Sequence, residues 1–135
     1  MAIQNSIAVR NAQADAWETA IGTTAVLKLR TGSQPATCAT ADSGTVLISY
    51  TLASDWAAAA SNGAKAFNGV PFSGSASGTG TAAHYRLYAS DGTTCHEQGT
   101  VTLTAGGGDV TVDNTNIVSG QAVTVNGWTK TWPGA

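Results

Sequence analysis

The chain has 135 residues, and its eight acidic and six basic side chains leave a net charge of −2 at neutral pH. Charged residues make up 10% of it, against about 25% in an ordinary soluble domain. Six Lys and Arg supply no basic patch for a phosphate backbone and no cationic face for a membrane surface, which argues against nucleic-acid and membrane partners. Ile, Leu, Val and Phe together number only 23. So short a list of large apolar side chains predicts a thin core that neighbouring subunits complete. The first five residues carry neither a basic region nor an apolar run, so no signal peptide is expected. The expectation is a soluble protein made in a cytoplasm.

Near the start, Ile3, Ile7, Arg10, Ala14, Trp17 and Ile21 recur every three or four positions. This spacing predicts one amphipathic helix over residues 6–20, capped by Asn5 or Ser6 and stopped by Gly22. Its narrow stripe, interrupted by Arg10, suits the edge of a sheet or a neighbouring subunit. A coiled-coil arm would need more heptads than the segment holds.

Residues 24–30 alternate as a strand, with Leu27 and Leu29 inward. Residues 31–44 read as a loop around Pro35, and residues 45–52 as the most hydrophobic strand. In residues 53–63, Asp55 either caps a short helical turn carrying Trp56 and four alanines or begins a loop. Residues 65–72 read as a broken strand turning at Asn68-Gly69, with Pro71 favouring an edge. The Gly/Ser-rich residues 73–81 read as an exposed loop.

Residues 82–103 carry the strongest local signal. Ala83, Tyr85 and Leu87 share one face, and His84, Arg86 and Tyr88 share the other. Residues 90–93, Ser-Asp-Gly-Thr, supply a turn, and alternation resumes after it, giving a β-hairpin with a bulge or kink near Gly99. Residues 109–113, 117–118 and 121–125 follow as short strands. Asn126-Gly127 then shifts the phase, as a bulge does, so that Trp128, Lys130 and Trp132 share a face. Seven or eight short, mostly antiparallel strands predict an antiparallel β-sandwich or jelly-roll-like domain over residues 23–135, preceded by a helical segment over residues 1–22.

The chemistry-bearing residues form no motif. His84 and His96 are the only histidines, and His96 and Cys95, adjacent on a strand, point to opposite faces, which leaves Cys95 and Glu97 on one face without a base. The same geometry argues against a metal held by Cys95, His96 and Glu97. Asp109, Asp113, Asn114 and Asn116 offer oxygens, but at the spacing of turn formers and not of a calcium loop. Gly106 to Gly108 lack the following helix that a phosphate cradle needs. No catalytic residue, metal site or cofactor is expected. Cys38 and Cys95 are read as two free thiols, with a single long-range disulfide as the alternative. Trp56, Trp128 and Trp132, with Lys130, are the candidate partner-binding residues: either a surface platform for a protein or a sugar, or the bulky residues of a thin core.

Several segments together resemble small phage and prophage virion proteins. They are the helix SIAVRNAQADAWETAIG, the strand AVLKLRTGSQPA, the hairpin AAHYRLYASDGT in the pattern A-x-x-Y/F-R-L/I-x-x-x-D-G-T, and the ending IVSGQAVTV in the pattern I-V-x-G-Q-x-V-x-V. The resemblance implies a head decoration (cement) or tail-associated component with no catalytic residues. It implies a homo-oligomer, a trimer by analogy, bound to the major capsid protein or other virion proteins and located in the virion. The alternative is a receptor- or glycan-binding module of a tail fibre that uses the C-terminal tryptophans.

Overall fold

The computed structural model describes residues 3–134. The chain is mainly β with one helix, built on a curled, mixed sheet. Helix α1 spans Ile7–Ile21. The Ser6 hydroxyl accepts the Val9 N–H at 3.2 Å, and at the other end the Gly22 N–H donates to the Glu18 carbonyl at 2.9 Å. Gly22 ends the helix because its φ of 89° suits a residue without a β-carbon. The inward stripe is Arg10, Ala14, Trp17 and Ile21, whereas Ile7 is exposed.

The strands are β1 Val26–Arg30, β2 Val46–Thr51, β3 Ala64–Ala66, β4 Phe72–Ser75, β5 Gly80–Thr81, β6 His84–Tyr88, β7 Cys95–Leu103, β8 Val110–Val112, β9 Asn116–Ile117 and β10 Ala122–Thr131. The main sheet runs β2-β1-β6-β7-β8-β10-β3, and β4 pairs with the other half of the edge of β10 that β3 occupies. Strands β5 and β9 form a separate two-stranded ribbon. Every pairing is antiparallel except β7 with β8. Helix α1 lies against β3, the edge strand, where Lys65 reaches Asp15 and Glu18, each at 2.7 Å.

The sheet curls until its ends meet. Tyr50 of β2 donates its hydroxyl to the Val123 carbonyl of β10 at 2.8 Å. The Leu47 carbonyl of β2 accepts the N–H groups of Ser77 and Gly78, just past β4. Inside lie Leu27, Leu29, Ile48, Tyr85, Leu87, Val101, Val110, Val112, Val123 and Val125, all buried. Ile21 of the helix joins the same core.

The hairpin forms, and its turn is fixed by Asp91, which accepts the N–H groups of Thr93 and Thr94 at 2.8 and 2.9 Å. The phase change at Asn126-Gly127 is a bulge, with Val125 opposite Val112 and Gly127 opposite Thr111. Gly99, read as a kink, instead sits inside continuous β7, and the hairpin's register shift falls beside His96. A β-carbon at Gly99 would come within 2.7 Å of the Tyr85 ring and of Asp109, so the glycine makes room and does not bend the strand. Residues 53–63 form no helix; Ala57 bridges Phe67, and Ser61 bridges Ala64. Nor is the Gly/Ser-rich stretch a free loop. It supplies β4 and β5, and Gly74 lies where a β-carbon would come within 2.9 Å of the Tyr50 ring. Small residues there let the curled sheet close.

Candidate functional site

The bulge in β10 sets Trp128 and Lys130 on one face, and Trp132 follows just past the strand end. The chain's own helix covers this face. Trp17 stacks on Trp128, with ring centres 5.2 Å apart and an interplanar angle of 13°. Its edges meet Trp132 at 5.5 Å and Trp56 at 5.3 Å, and Phe67 lies 4.6 Å from Trp128. The Lys130 ammonium sits 5.0 Å from the Trp17 ring centre and 5.5 Å from that of Trp132, within reach of both π faces.

Trp56 and Trp128 are therefore core residues, only 2% and 3% exposed. A thin core fills its volume with its largest side chains, and each indole N–H finds a partner inside: Trp56 donates to the Gly22 carbonyl at 2.8 Å, Trp128 to the Tyr85 hydroxyl at 3.3 Å. The platform reading is corrected for these two. Trp132 and Lys130 stay half-buried at the rim. The chain ends are laced there: Arg10 donates to the Trp132 carbonyl at 2.8 Å, the Trp132 N–H to Gly63 at 2.8 Å, and the Asn5 N–H to Gly134 at 2.6 Å. Sequence reasoning missed Trp17 as the cover of the strip. Its signal was present, since Arg10, Ala14, Trp17 and Ile21 lie on one helical stripe, but nothing local said which strand that stripe would meet.

Beside this cluster, β8 is too short to bridge β7 and β10 along their whole length. The uncovered part leaves a cavity of about 270 Å³ lined by Tyr85, Glu97, Asp109, Trp128 and Lys130, among others. Glu97 accepts the Tyr85 hydroxyl at 2.6 Å and pairs with Lys130. Burial and the neighbouring Glu97 carboxylate both hold the Tyr85 phenol far above its ordinary pKa, so it remains a donor. Asp109 accepts the Thr100 N–H at 2.9 Å and its hydroxyl at 3.0 Å. Both carboxylates are thus engaged by the chain itself, in positions that stabilise the split sheet.

The remaining candidate residues are dispersed. His96 is exposed at the register shift. That shift also separates Cys95, opposite Tyr88, from Glu97, opposite Leu87, so the two do not share a face as strict alternation suggests. Asp113 accepts the Thr124 N–H of β10 across the sheet, and Asn114 accepts the Asn116 N–H, as a turn former does. Among the described residues no three His, Cys, Asp or Glu side chains are grouped to hold a metal ion. No described helix is long and apolar enough to cross a membrane.

The densest polar cluster lies on the opposite face of β6. Residues 31–44 fold back over this face, and Arg86, 1% exposed, is their anchor. Its guanidinium donates to the carbonyls of Thr37, Cys38 and Thr40 at 3.0, 3.1 and 3.1 Å, to Gln98 at 3.1 Å, and to Asp42. Arg30 donates to the Ser43 carbonyl at 2.9 Å and pairs with Asp42 at 3.5 Å, and Tyr88 donates to Asp42 at 2.8 Å. Burial acts to raise the pKa of Asp42, but the hydrogen bonds from Arg86 and Tyr88 outweigh it and hold the carboxyl below its ordinary value.

His84 completes this face, its Nδ1–H donating to the Gly32 carbonyl at 2.9 Å while its buried Nε2 has no partner among the described residues. Burial, with Arg30 and Arg86 close by, holds the imidazole pKa below its ordinary value; the Gly32 hydrogen bond and Asp42 oppose this and are outweighed. The unfolded chain therefore takes up a proton below pH about 6.5 that the folded chain resists, and stability must fall as pH drops through that value. We expect the urea midpoint to decrease between pH about 7.5 and about 5.5, above the carboxylate range, and His84→Gln to flatten the decrease. A wild-type midpoint that stays level over this interval would contradict the buried neutral imidazole.

No protein family, no curated protein and no solved structure matches the chain.

Proposed function

We propose that the protein is a non-enzymatic structural component of a bacteriophage virion, a head decoration protein that binds the outer surface of the capsid as a homo-oligomer. One observation carries the reading. The N-terminal segment covers the tryptophan cluster with its inward stripe and leaves three aliphatic side chains uncovered at its start: Ile3 is 85% exposed, Ile7 53% and Val9 46%. Uncovered aliphatic side chains grouped on a short segment suit burial against another subunit or the capsid. Low charge and the resemblance of the helix, hairpin and C-terminal strand to small virion proteins support the same reading. A glycan-binding tail module draws less support, because its platform would need Trp56 and Trp128 at the surface.

Ile7→Asp tests this directly. The residue opens α1 and is 53% exposed, so the variant should keep the melting temperature of the dissociated subunit. Its self-association, or its binding to heads stripped of the protein, should weaken by about tenfold or more, as when an interface anchor is lost. Wild-type chain that sediments as a stable monomer at micromolar concentration and fails to bind such heads would sink the proposal.

A further inference from the structure

We propose that Cys38 and Cys95 are a built-in cross-linking site, closed by exchange with a small-molecule disulfide, that staples residues 31–44 to the sheet. The inference does not depend on the functional reading above. The two cysteines are 57 positions apart in sequence. Cys38 sits in a tight turn, where the Thr40 N–H donates to the Thr37 carbonyl at 3.1 Å and the two threonine hydroxyls meet at 3.0 Å. Arg86 fixes this turn over β6 through the carbonyls on either side of Cys38 and through that of Cys38 itself.

Cys95 faces the same turn. It pairs with Tyr88, which shares the outer face of β6 with Arg86. Its thiol donates to the Glu97 carbonyl at 3.3 Å, and the Cys38 thiol is near enough to shift its pKa. Both cysteines are half-buried, so a small oxidant reaches them while bulkier partners are hindered. Burial and the adjoining Cys38 thiol raise the pKa of Cys95, whereas the positive charge of Arg86 favours its thiolate and partly offsets them. Reaction is therefore slow at neutral pH and is set by thiolate population.

The exchange balances without any further reactant. One cysteine thiolate attacks a sulfur of oxidised glutathione, forming a mixed disulfide and expelling one glutathione thiolate. The second cysteine, as its thiolate, attacks the protein sulfur of that mixed disulfide, closes the Cys38–Cys95 bond and expels the other glutathione. Two protein thiols are oxidised, one disulfide is reduced to two thiols, and the two protons pass to the departing thiolates. The loop so closed is long, which is where a cross-link restricts the unfolded chain most.

The test uses the whole reduced protein incubated with oxidised glutathione, then alkylated and weighed intact. We expect the mass to fall by two hydrogens with no glutathione adduct and no free thiol. The melting temperature should rise by about 10 °C, and amide exchange across residues 31–44 should slow by about tenfold, both reversed by a dithiol reductant. Thiols that remain alkylatable, a persistent glutathione adduct, or a bridge between two chains would overturn the proposal. An internal bridge that leaves melting and exchange unchanged would overturn its stapling role.

Discussion

Replacing Arg86 with methionine is expected to cost roughly 3 kcal/mol of folding stability and to release residues 31–44 from the sheet. The side chain is buried, and its guanidinium satisfies three backbone carbonyls, Gln98 and Asp42. Methionine keeps much of the volume but leaves those acceptors facing a thioether. The cost lies at the low end for a broken buried pair because the Asp42 side chain is 38% exposed and keeps water after the loss. Urea unfolding measures the total. Amide exchange separates the local part, because exchange should quicken in residues 31–44 well before it does in β1 or β6. A loss under about 1 kcal/mol, with exchange in the loop unchanged, would mean that other contacts hold the cover in place.

The second large effect is expected at Trp128. Trp128→Ala removes the ring stacked on Trp17 and packed against Phe67, and leaves a void in a core with few large side chains to fill it. Substitutions of this kind cost about 3–5 kcal/mol. Trp132→Ala should cost only about 1 kcal/mol, since its ring is half-buried at the rim and its hydrogen bonds to Arg10 and Gly63 use main-chain atoms that alanine retains. The pair of variants separates core from rim across four positions of the chain. Equal costs for the two would place both indoles in one environment and contradict the cover provided by α1.

Much of this arrangement is legible from residue order, and the illegible parts share a cause. The hairpin, the helix ends and the bulge at Asn126-Gly127 depend on a few neighbouring residues, so period and turn chemistry reveal them. Which face of β6 is buried does not. His84, Arg86 and Tyr88 alternate with Tyr85 and Leu87 as they would in a half-buried strand, yet residues 31–44 return to cover them from more than forty positions away. The same holds for residues 73–81. Glycine and serine in that density suit a flexible loop, and only the approach of β2 to β10 shows why small side chains are needed at Gly74.

The candidate site divides along the same line. That Trp128, Lys130 and Trp132 share a face follows from the phase change in β10. What lies on that face is set by where α1 docks, through Trp17 stacking and the bond from Arg10 to the Trp132 carbonyl. Tryptophans near a chain end invite a partner-binding reading because chain ends are seldom buried. Here α1 packs on the segment that ends β10, so Trp128 is buried and Trp132 half-buried within the chain itself.

The most direct test of the virion assignment is to quantify this chain in purified phage particles against the major capsid protein, by mass spectrometry with labelled standards. A decoration protein must appear at a fixed, high ratio to the capsid subunit and must be lost when heads are stripped of their outer proteins. Absence from the particle, or a few copies that segregate with detached tails, would contradict it.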